Sequence, residues 1–585
     1  MTKLERIRLA KDKKDFAKLL KVSTVFLTNT LYLTPIEDQY EEFQIPKRSG
    51  GFRTIHAPTA ELKDLQSRLS NLLLDCIDDI NKEKEIISTL SHGFVRKRSI
   101  ITNARLHVRQ KNVLNIDLED FFGSFNFGRV RGFFLKNNNF KLDKNIATII
   151  AKIACLNDTL PQGSPCSPVI TNLITHPLDI RLAQLAKKSS SVYTRYADDI
   201  TFSTRERNFS EKIVSIENKK VTLSKKLKEE IRRSGFNINH KKTRLQFADS
   251  RQDVTGLIVN KKINIKREYW RETRAMCHSL FKTGEFTINE NGNLRKGTID
   301  ELYGKLNFID SIDRYNHYNC KESLDHRYSL KDRGIDTHRE KLNGRESTFS
   351  DFLYYKNFIA NNKPTLLFEG KTDNIYIKYA LKSKSNTSNE LKPTKNDNDQ
   401  LELPVSLFDY TKRTRYLLDL YGGGNYLKFF SQRYKKSLKY YNVKTPQNPV
   451  ILVLDNDNGP NGLIGWLSSQ KIIFPKIEED NKNNSIRNSD FIHIVSNLYL
   501  ILTPRDNGND SMMENLFDDK ALSYKIDGRE FEPSNEYDST TKYGKNTFSL
   551  KVVKDKHKEI NFDGFIPLLL RIAKVIKYHK KFVNS

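Results

Sequence analysis

Two sets of acidic residues stand where apolar runs end, an arrangement suited to metal-assisted phosphoryl chemistry. In the first half, residues 112–117 (NVLNID) form an apolar run closing on Asp117, and residues 193–203 (YTRYADDITFS) set Asp198 and Asp199 between two β-prone runs, the composition of a hairpin. The two elements are far apart in sequence and meet only through tertiary folding. Three carboxylates at the tips of neighbouring strands would suit two Mg2+ ions, which activate an attacking hydroxyl and stabilise a departing pyrophosphate. An Asp pair alone is more often solvated surface, so the weight rests on its company. In the second half, residues 365–373 (TLLFEGKTD) end a strand on Glu369-Gly370, and residues 449–460 (PVILVLDNDNGP) deliver Asp455 and Asp457. Ligands gather at the carboxyl ends of strands in open α/β sheets, so these three acids could converge on one divalent ion. Between them, residues 417–425 (LLDLYGGGN) place three glycines after an expected strand, allowing close approach of backbone or phosphate. An ordinary Asx turn accounts equally well for DNDNG.

The elements that must position these acids differ between the halves. Helical stretches mix with isolated hydrophobic strands in the first, an α+β pattern. After a polar zone at about 317–348, short apolar runs at 365–368, 416–420, 450–454 and 491–495 alternate with helix-like segments, the signature of a parallel sheet covered by helices. Polar stretches at 382–400 and 478–489 read as loops or insertions.

The chain has 585 residues and a formal net charge of +28, an excess that points first to nucleic acid as partner and second to anionic membrane. Residues 201–300 hold 23 basic and 12 acidic residues, as expected of a groove tracking phosphates, although the run 224–233 alone reads as a solvated helix face. The charged N-terminus has no secretory apolar core and no apolar stretch is long enough to span a bilayer, so a cytoplasmic, bacterial location without membrane is expected. Five scattered cysteines without a CxxC pair argue against a disulfide framework or a thiolate zinc site.

Residues 160–168 (LPQGSPCSP), 196–199 (YADD) and 235–243 (GFNINHKKT) follow the Asp117 run in order, and this succession resembles the reverse transcriptase palm. The resemblance implies a right-hand fold of fingers, palm and thumb in which Asp117, Asp198 and Asp199 bind Mg2+ and catalyse. It implies that Gln162 and Gly163 line the nucleotide and template pocket and that Phe122 lies beneath the sugar, excluding a 2′-OH. Arg53 in GFRTIHAP and Arg96 to Arg98 in HGFVRKRSI match fingers segments facing the triphosphate of a dNTP. The stretch NARLH (Asn103, His107) and the triplet Val254-Thr255-Gly256 resemble two signatures of retron reverse transcriptases. That family copies its own noncoding RNA, priming from a guanosine 2′-OH, into a branched RNA–DNA hybrid called msDNA. By the same resemblance, RNA recognition falls to Asn103, His107, Val254, Thr255 and Gly256 and to a basic thumb.

The ordered set EG…GGG…DxD resembles the TOPRIM fold, in the manner of overcoming-lysogenization-defect type nucleases. This implies a Rossmann-like parallel-sheet domain with Glu369, Asp455 and Asp457 as catalytic acids and metal ligands. Glu514 in SMMENLF is then an additional ligand, Asp373 another acid, and Lys542 and Lys545 in KYGK stabilisers of transition-state charge. The expected organisation is fingers and palm over 1–250, thumb over 251–320, a linker region over 321–360 and a TOPRIM nuclease-like effector over 361–585. Retrons are anti-phage defence systems, and the resemblance carries that role. Three alternatives stay open: a TOPRIM domain that only binds nucleic acid, one that only oligomerises, and a non-retron bacterial reverse transcriptase. The chain could also form a homo-oligomer.

Overall fold

The computed structural model describes all residues except 48–49, 87–89, 218–219, 291, 320–341, 396–400, 443–445, 471, 474, 476–481, 506–507 and 535. It divides into two compact units, Met1–Tyr269 and Trp270–Ser585.

In the first unit, β1 (Tyr40–Pro46) and β2 (Phe52–Pro58) form an antiparallel hairpin leading into the long helix α1 (Ala60–Glu83). Leu62, Leu65, Leu69, Leu72, Leu73, Cys76 and Ile80 recur at three- and four-residue steps along α1 and are buried. After the short α2 (Ile100–Arg105), strand β3 (Asn112–Glu119) enters a four-stranded antiparallel sheet. Its partners are β4 (Val192–Tyr196) and β5 (Asp199–Thr204), which follow α3 (Ser167–Lys187), and β6 (Asn237–Phe247), which follows α4 (Lys225–Arg233). The order is β4-β5-β3-β6, with β3 buried between β5 and β6. On α4 only Leu227 and Ile231 are buried, so its lysines form the solvated face expected of it.

The hairpin β7 (Asp253–Val254) and β8 (Leu257–Ile258) closes this unit. Its two turn residues, Thr255 (φ +47) and Gly256 (φ +82), both take left-handed conformations, the condition for a tight two-residue turn that follows the twist of the strands.

The second unit begins within α5 (Arg267–Thr283) and continues through α6 (Ile299–Asn319) and α7 (Gly344–Tyr354). A five-stranded sheet follows. It contains β9 (Thr365–Phe368), trailed by α8 (Lys371–Ser383), then β10 (Ser406–Leu407), α9 (Lys412–Leu418), α10 (Gly424–Leu438), β11 (Val450–Leu454), α11 (Lys482–Asn488), β12 (Ile492–Val495) and β13 (Leu498–Leu502). The order is β10-β9-β11-β13-β12, parallel except for β12. Helices cover both faces, which is why β11 reads VILVL without alternation and every residue of it is buried. The C-terminal helix α12 (Ile566–Asn584) buries Leu568, Leu569, Ile572, Val575 and Ile576 on one of them.

The structure redraws several expected boundaries. Cys277, Leu280 and Phe281 of α5 and Leu302 and Leu306 of α6 share one hydrophobic cluster with Phe352, Leu367 and Leu452. Of the expected thumb at 251–320, residues 251–269 therefore belong to the first unit and the helices from residue 270 onward to the second. Of the expected linker at 321–360, residues 321–341 lie outside the described residues, and the remainder is helical with Phe349, Phe352, Leu353 and Phe358 buried. The run 416–420 is not a strand: Tyr416, Leu417 and Leu418 are the buried face of α9, an apolar triplet whose period is too short to separate strand from helix. Within the expected loop 478–489, residues 482–488 form α11, which buries Ile486 and Arg487.

Candidate active site

Asp117 and Asp199 face each other across β3 and β5, and Asp198 occupies the β4–β5 turn beside them. Ala197, the other turn residue, takes φ +55, a strained conformation for a residue with a Cβ. The turn is held from beneath. Arg195 is fully buried and donates through Nε and Nη2 to the two carboxylate oxygens of Asp179 on α3 (2.7 and 2.8 Å), while its Nη1 donates to the Ala197 carbonyl (2.9 Å). The Tyr193 hydroxyl donates to the same Asp179 (2.7 Å). Neither Arg195 nor Asp179 is singled out by sequence pattern, although Tyr193, Arg195 and Ala197 alternate onto one face of the hairpin.

Opposite the turn, β6 bulges where Asn239 pairs with Asp117 and Arg244 with Asn115. The bulge lifts Lys242 onto Asp117, with Nζ 3.1 Å from each carboxylate oxygen. Lys242 lies in the GFNINHKKT stretch yet carries no distinguishing signal there. Burial, then Asp198 and Asp117, push Asp199 up to about 7; burial and Asp117 raise Asp198, opposed by the positive charges of Lys242 and Arg53.

These residues line a cleft of about 1320 Å³ together with Arg53, Phe122, Gln162, Phe52 and Phe94. Gln162 is fixed by its backbone, whose carbonyl accepts from His56 N–H (2.9 Å), and Gly163 is required beside it. Its φ is +124 and a Cβ there would lie 2.5 Å from the His56 carbonyl oxygen. Arg96 does not reach this cleft. Its Nη1 is bound to Asp75 (2.8 Å) and Asp78 (2.6 Å) of α1.

The expected RNA-binding residues pack on one another. Asn103, His107 and Val254 are fully buried, leaving Thr255 half-buried and Gly256 exposed. His107 bridges the sheet, with Nδ1 2.7 Å from the Ser203 hydroxyl and Nε2 2.7 Å from the Thr194 hydroxyl. The Thr255 hydroxyl donates to the Ile100 carbonyl at the start of α2 (3.2 Å). The side chains of His107 and Val254 thus face the interior, and Asn103 is buried beside them with neither amide atom hydrogen-bonded among the described residues.

The second acid set lies at the carboxyl ends of β9 and β11. A Cβ on Gly459 would stand 3.1 Å from an Asp457 oxygen and 3.2 Å from a Glu369 oxygen, so these two carboxylates flank one glycine. The three glycines before α10 serve this corner. A Cβ on Gly422 would meet the Glu369 carbonyl at 2.6 Å, Gly423 N–H donates to that carbonyl (3.0 Å), and Gly424 N–H donates to the Glu369 carboxylate. Deeper in, Asp455 accepts from Met513 N–H (2.8 Å), Asp373 from Gly370 N–H (2.9 Å), and Glu514 from Lys545 Nζ (3.0 Å) and the Tyr376 hydroxyl (3.3 Å). Burial followed by Asp373 and Glu514 pushes Asp455 up to about 8, and burial followed by Asp457 and Asp373 raises Glu369. Lys542 points elsewhere, paired with Glu532 at 2.6 Å. Asn456, between the two aspartates, is buried and bonded to Arg487 and Thr503, which turns Asp455 and Asp457 outward from a fixed backbone.

Among the described residues, no group of three or more His, Cys, Asp or Glu is gathered so as to hold a metal ion as it stands. Lysines neutralise the acids instead, Lys242 at Asp117 and Lys545 at Glu514. The donor type nonetheless suits a hard divalent cation at both places, because carboxylate oxygens are its preferred ligands and neighbouring acids act with burial to raise Asp199 and Asp455. No helix among the described residues is long and apolar enough to cross a membrane.

A four-stranded antiparallel sheet that brings three aspartates to a cleft also lined by the β1–β2 hairpin is the arrangement of the polymerase palm class. Residues 45–259 match the family model for reverse transcriptase (RNA-dependent DNA polymerase). The chain is 32% identical to the retron Ec86 reverse transcriptase of Escherichia coli over 52% of its own length and 85% of that protein's. It is 36% identical to the retron Mx65 reverse transcriptase of Myxococcus xanthus over 45% of its own length and 62% of that protein's. It is 30% identical to the retron Ec73 reverse transcriptase of E. coli over 47% of its own length and 83% of that protein's. A solved telomerase from Candida albicans, in complex with a fragment of telomeric RNA, aligns with a TM-score of 0.29 at 11% identity, over 55% of this chain and 65% of that one. The chain belongs to the retron reverse transcriptase family, and the family-model match ends at residue 259, before the five-stranded sheet of the second unit.

Proposed function

We infer that this protein is an RNA-directed DNA polymerase that copies a cognate noncoding RNA into branched msDNA, primed from a guanosine 2′-OH, and that its second unit is a metal-dependent nuclease effector in anti-phage defence. The observation carrying the first part is the union of Asp117, Asp198 and Asp199 at one end of one cleft with Arg53, Gln162 and Phe122 on its walls. Asp117, Asp198 and Asp199 would hold Mg2+, which supplies activation of the attacking hydroxyl and neutralisation of the departing pyrophosphate. Arg53 and Lys242 place positive charge where the triphosphate of a dNTP must lie, and the Arg195–Asp179 pair keeps the turn from yielding when charge enters. Phe122, half-buried on the cleft wall, would stand beneath the sugar and exclude a 2′-OH.

The second part rests on Glu369, Asp455 and Asp457 at the carboxyl ends of parallel strands, with Asp373 in the first turn of α8, Glu514 on a short helix at 513–516 and Lys545 as the cation among them. This arrangement supports a TOPRIM-type site in which the acids would hold Mg2+ and Lys545 would face the charge developing on a phosphodiester. Lys542 has no part in it. Purified wild-type protein should incorporate dNTPs on RNA and Asp198→Asn should not. Glu369→Gln and Asp455→Asn should leave synthesis intact and abolish nucleic-acid cleavage and the defence phenotype. Defence that survives both substitutions would leave the second unit as a non-catalytic binding module.

A further inference from the structure

The segment after His92 is fastened to the catalytic turn and then departs from ordinary loop construction. His92 N–H donates to the Arg195 carbonyl (2.8 Å), and the Gly93 carbonyl accepts from Asn172 Nδ2 (2.7 Å). A Cβ on Gly93 would stand 2.6 Å from the Ala197 backbone nitrogen, so the segment lies directly against the turn carrying Asp198. Beyond it, Phe94 takes φ +57 and Lys97 φ +61, left-handed conformations that a side chain makes costly. Phe94 is a large apolar residue, yet 50% exposed, and its ring centroid is 6.4 Å from that of Tyr196. Arg96 ties the loop to Asp75 and Asp78 of α1, whereas Lys97 and Arg98 have no side-chain partner among the described residues.

Phe94 lines two spaces at once: the catalytic cleft, and an adjoining cavity of about 920 Å³ whose walls include Lys97 and Arg98. The cations that act on the catalytic acids are Lys242, Arg53 and Arg244, which leaves Lys97 and Arg98 outside that set. An exposed aromatic ring followed by unpartnered cations is how proteins grip a single strand, the ring taking a base and the cations its phosphates. We propose that Phe94 is a stacking platform for an unpaired base of the template strand entering the cleft, with Lys97 and Arg98 holding the neighbouring phosphates. The strained backbone then has a purpose, since it turns the ring outward toward the strand. The inference rests on reading the cleft as a polymerase site.

The test uses the full chain and an RNA template carrying 2-aminopurine at the first unpaired position beyond a DNA primer. Wild type and Phe94→Trp should quench its fluorescence, whereas Phe94→Leu should lose the quenching and weaken template binding about ten-fold. Lys97→Gln with Arg98→Gln should leave quenching intact and reduce the slope of log affinity against log salt by about 1.4, for two single-strand phosphate contacts. Phe94→Asn should melt no lower than wild type, because Asn tolerates the left-handed region, while still losing the quenching. Quenching that persists in Phe94→Leu would overturn the proposal, as would a Phe94→Leu effect confined to the KM for dNTP. Asp198→Asn should quench normally without making DNA. If wild type made no DNA but quenching still depended on Phe94, the polymerase reading would fail and the platform would stand.

Discussion

Arg195 sits two residues before Ala197 in the YADD turn and is fully buried, its charge met by Asp179 and its third contact spent on the Ala197 carbonyl. Nothing in YTRYADD sets it apart from a surface arginine, because burial of its partner Asp179 depends on how α3 packs. Asp117, Asp198 and Asp199 were legible for the opposite reason: acids closing apolar runs in a fixed order carry their context with them. Lys242 was illegible because only the bulge in β6 aims it. His107 belongs to a motif visible in the sequence, whereas its burial is not. It is buried and hydrogen-bonded through both ring nitrogens, and burial, followed by the charge of His92, lowers its pKa to about 3. Its folded pKa lies below the ordinary value near 6.5, so between those values the unfolded chain takes up the proton first. Its contribution is full above about pH 6.5 and is lost as pH falls toward 3. Denaturant midpoints should therefore drop less between pH 7 and pH 4.5 in His107→Gln than in wild type, from a lower starting value. Equal drops would mean that His107 is not buried in its neutral form.

Elements were legible where their period or length was decisive. The apolar run 450–454, all valine, isoleucine and leucine, formed the strand β11 as expected. Residues 416–420 did not, since five apolar-rich residues fit a strand or a helix equally and the sheet instead takes the two-residue β10. The glycines of LLDLYGGGN illustrate the same limit: close approach was expected, but the approaching groups are the Glu369 and Gly459 backbones, with no phosphate required. Gly163 makes the equivalent contact in the first unit. Gly163→Ala should cost about 1–3 kcal/mol of stability, because a left-handed φ and a backbone clash act together. It should also raise the KM for dNTP by displacing Gln162. Unchanged melting and KM would show that the β2 contact at His56 yields freely.

The division of the whole molecule was the least legible feature, because it depends on which helices share a core. Composition and motif order suggested a thumb next to the palm followed by a linker, yet α5 and α6 bury their apolar faces in the same cluster as the five-stranded sheet. A fragment ending at residue 319 should expose that surface, bind a hydrophobic dye and aggregate, whereas one ending at residue 269 should melt cooperatively. Cooperative melting of both would place the boundary after the thumb.

Branched DNA synthesis by the Asp117–Asp198–Asp199 site is the claim on which the rest depends. Its direct test is the nucleic acid that co-purifies with the protein expressed from its native upstream DNA, run with and without RNase beside an Asp198→Asn/Asp199→Asn control. A short DNA that shifts after RNase treatment and is absent from the control is the predicted result. Protein that incorporates dNTPs on RNA but carries no such DNA would contradict branched msDNA synthesis and leave a reverse transcriptase acting on other templates.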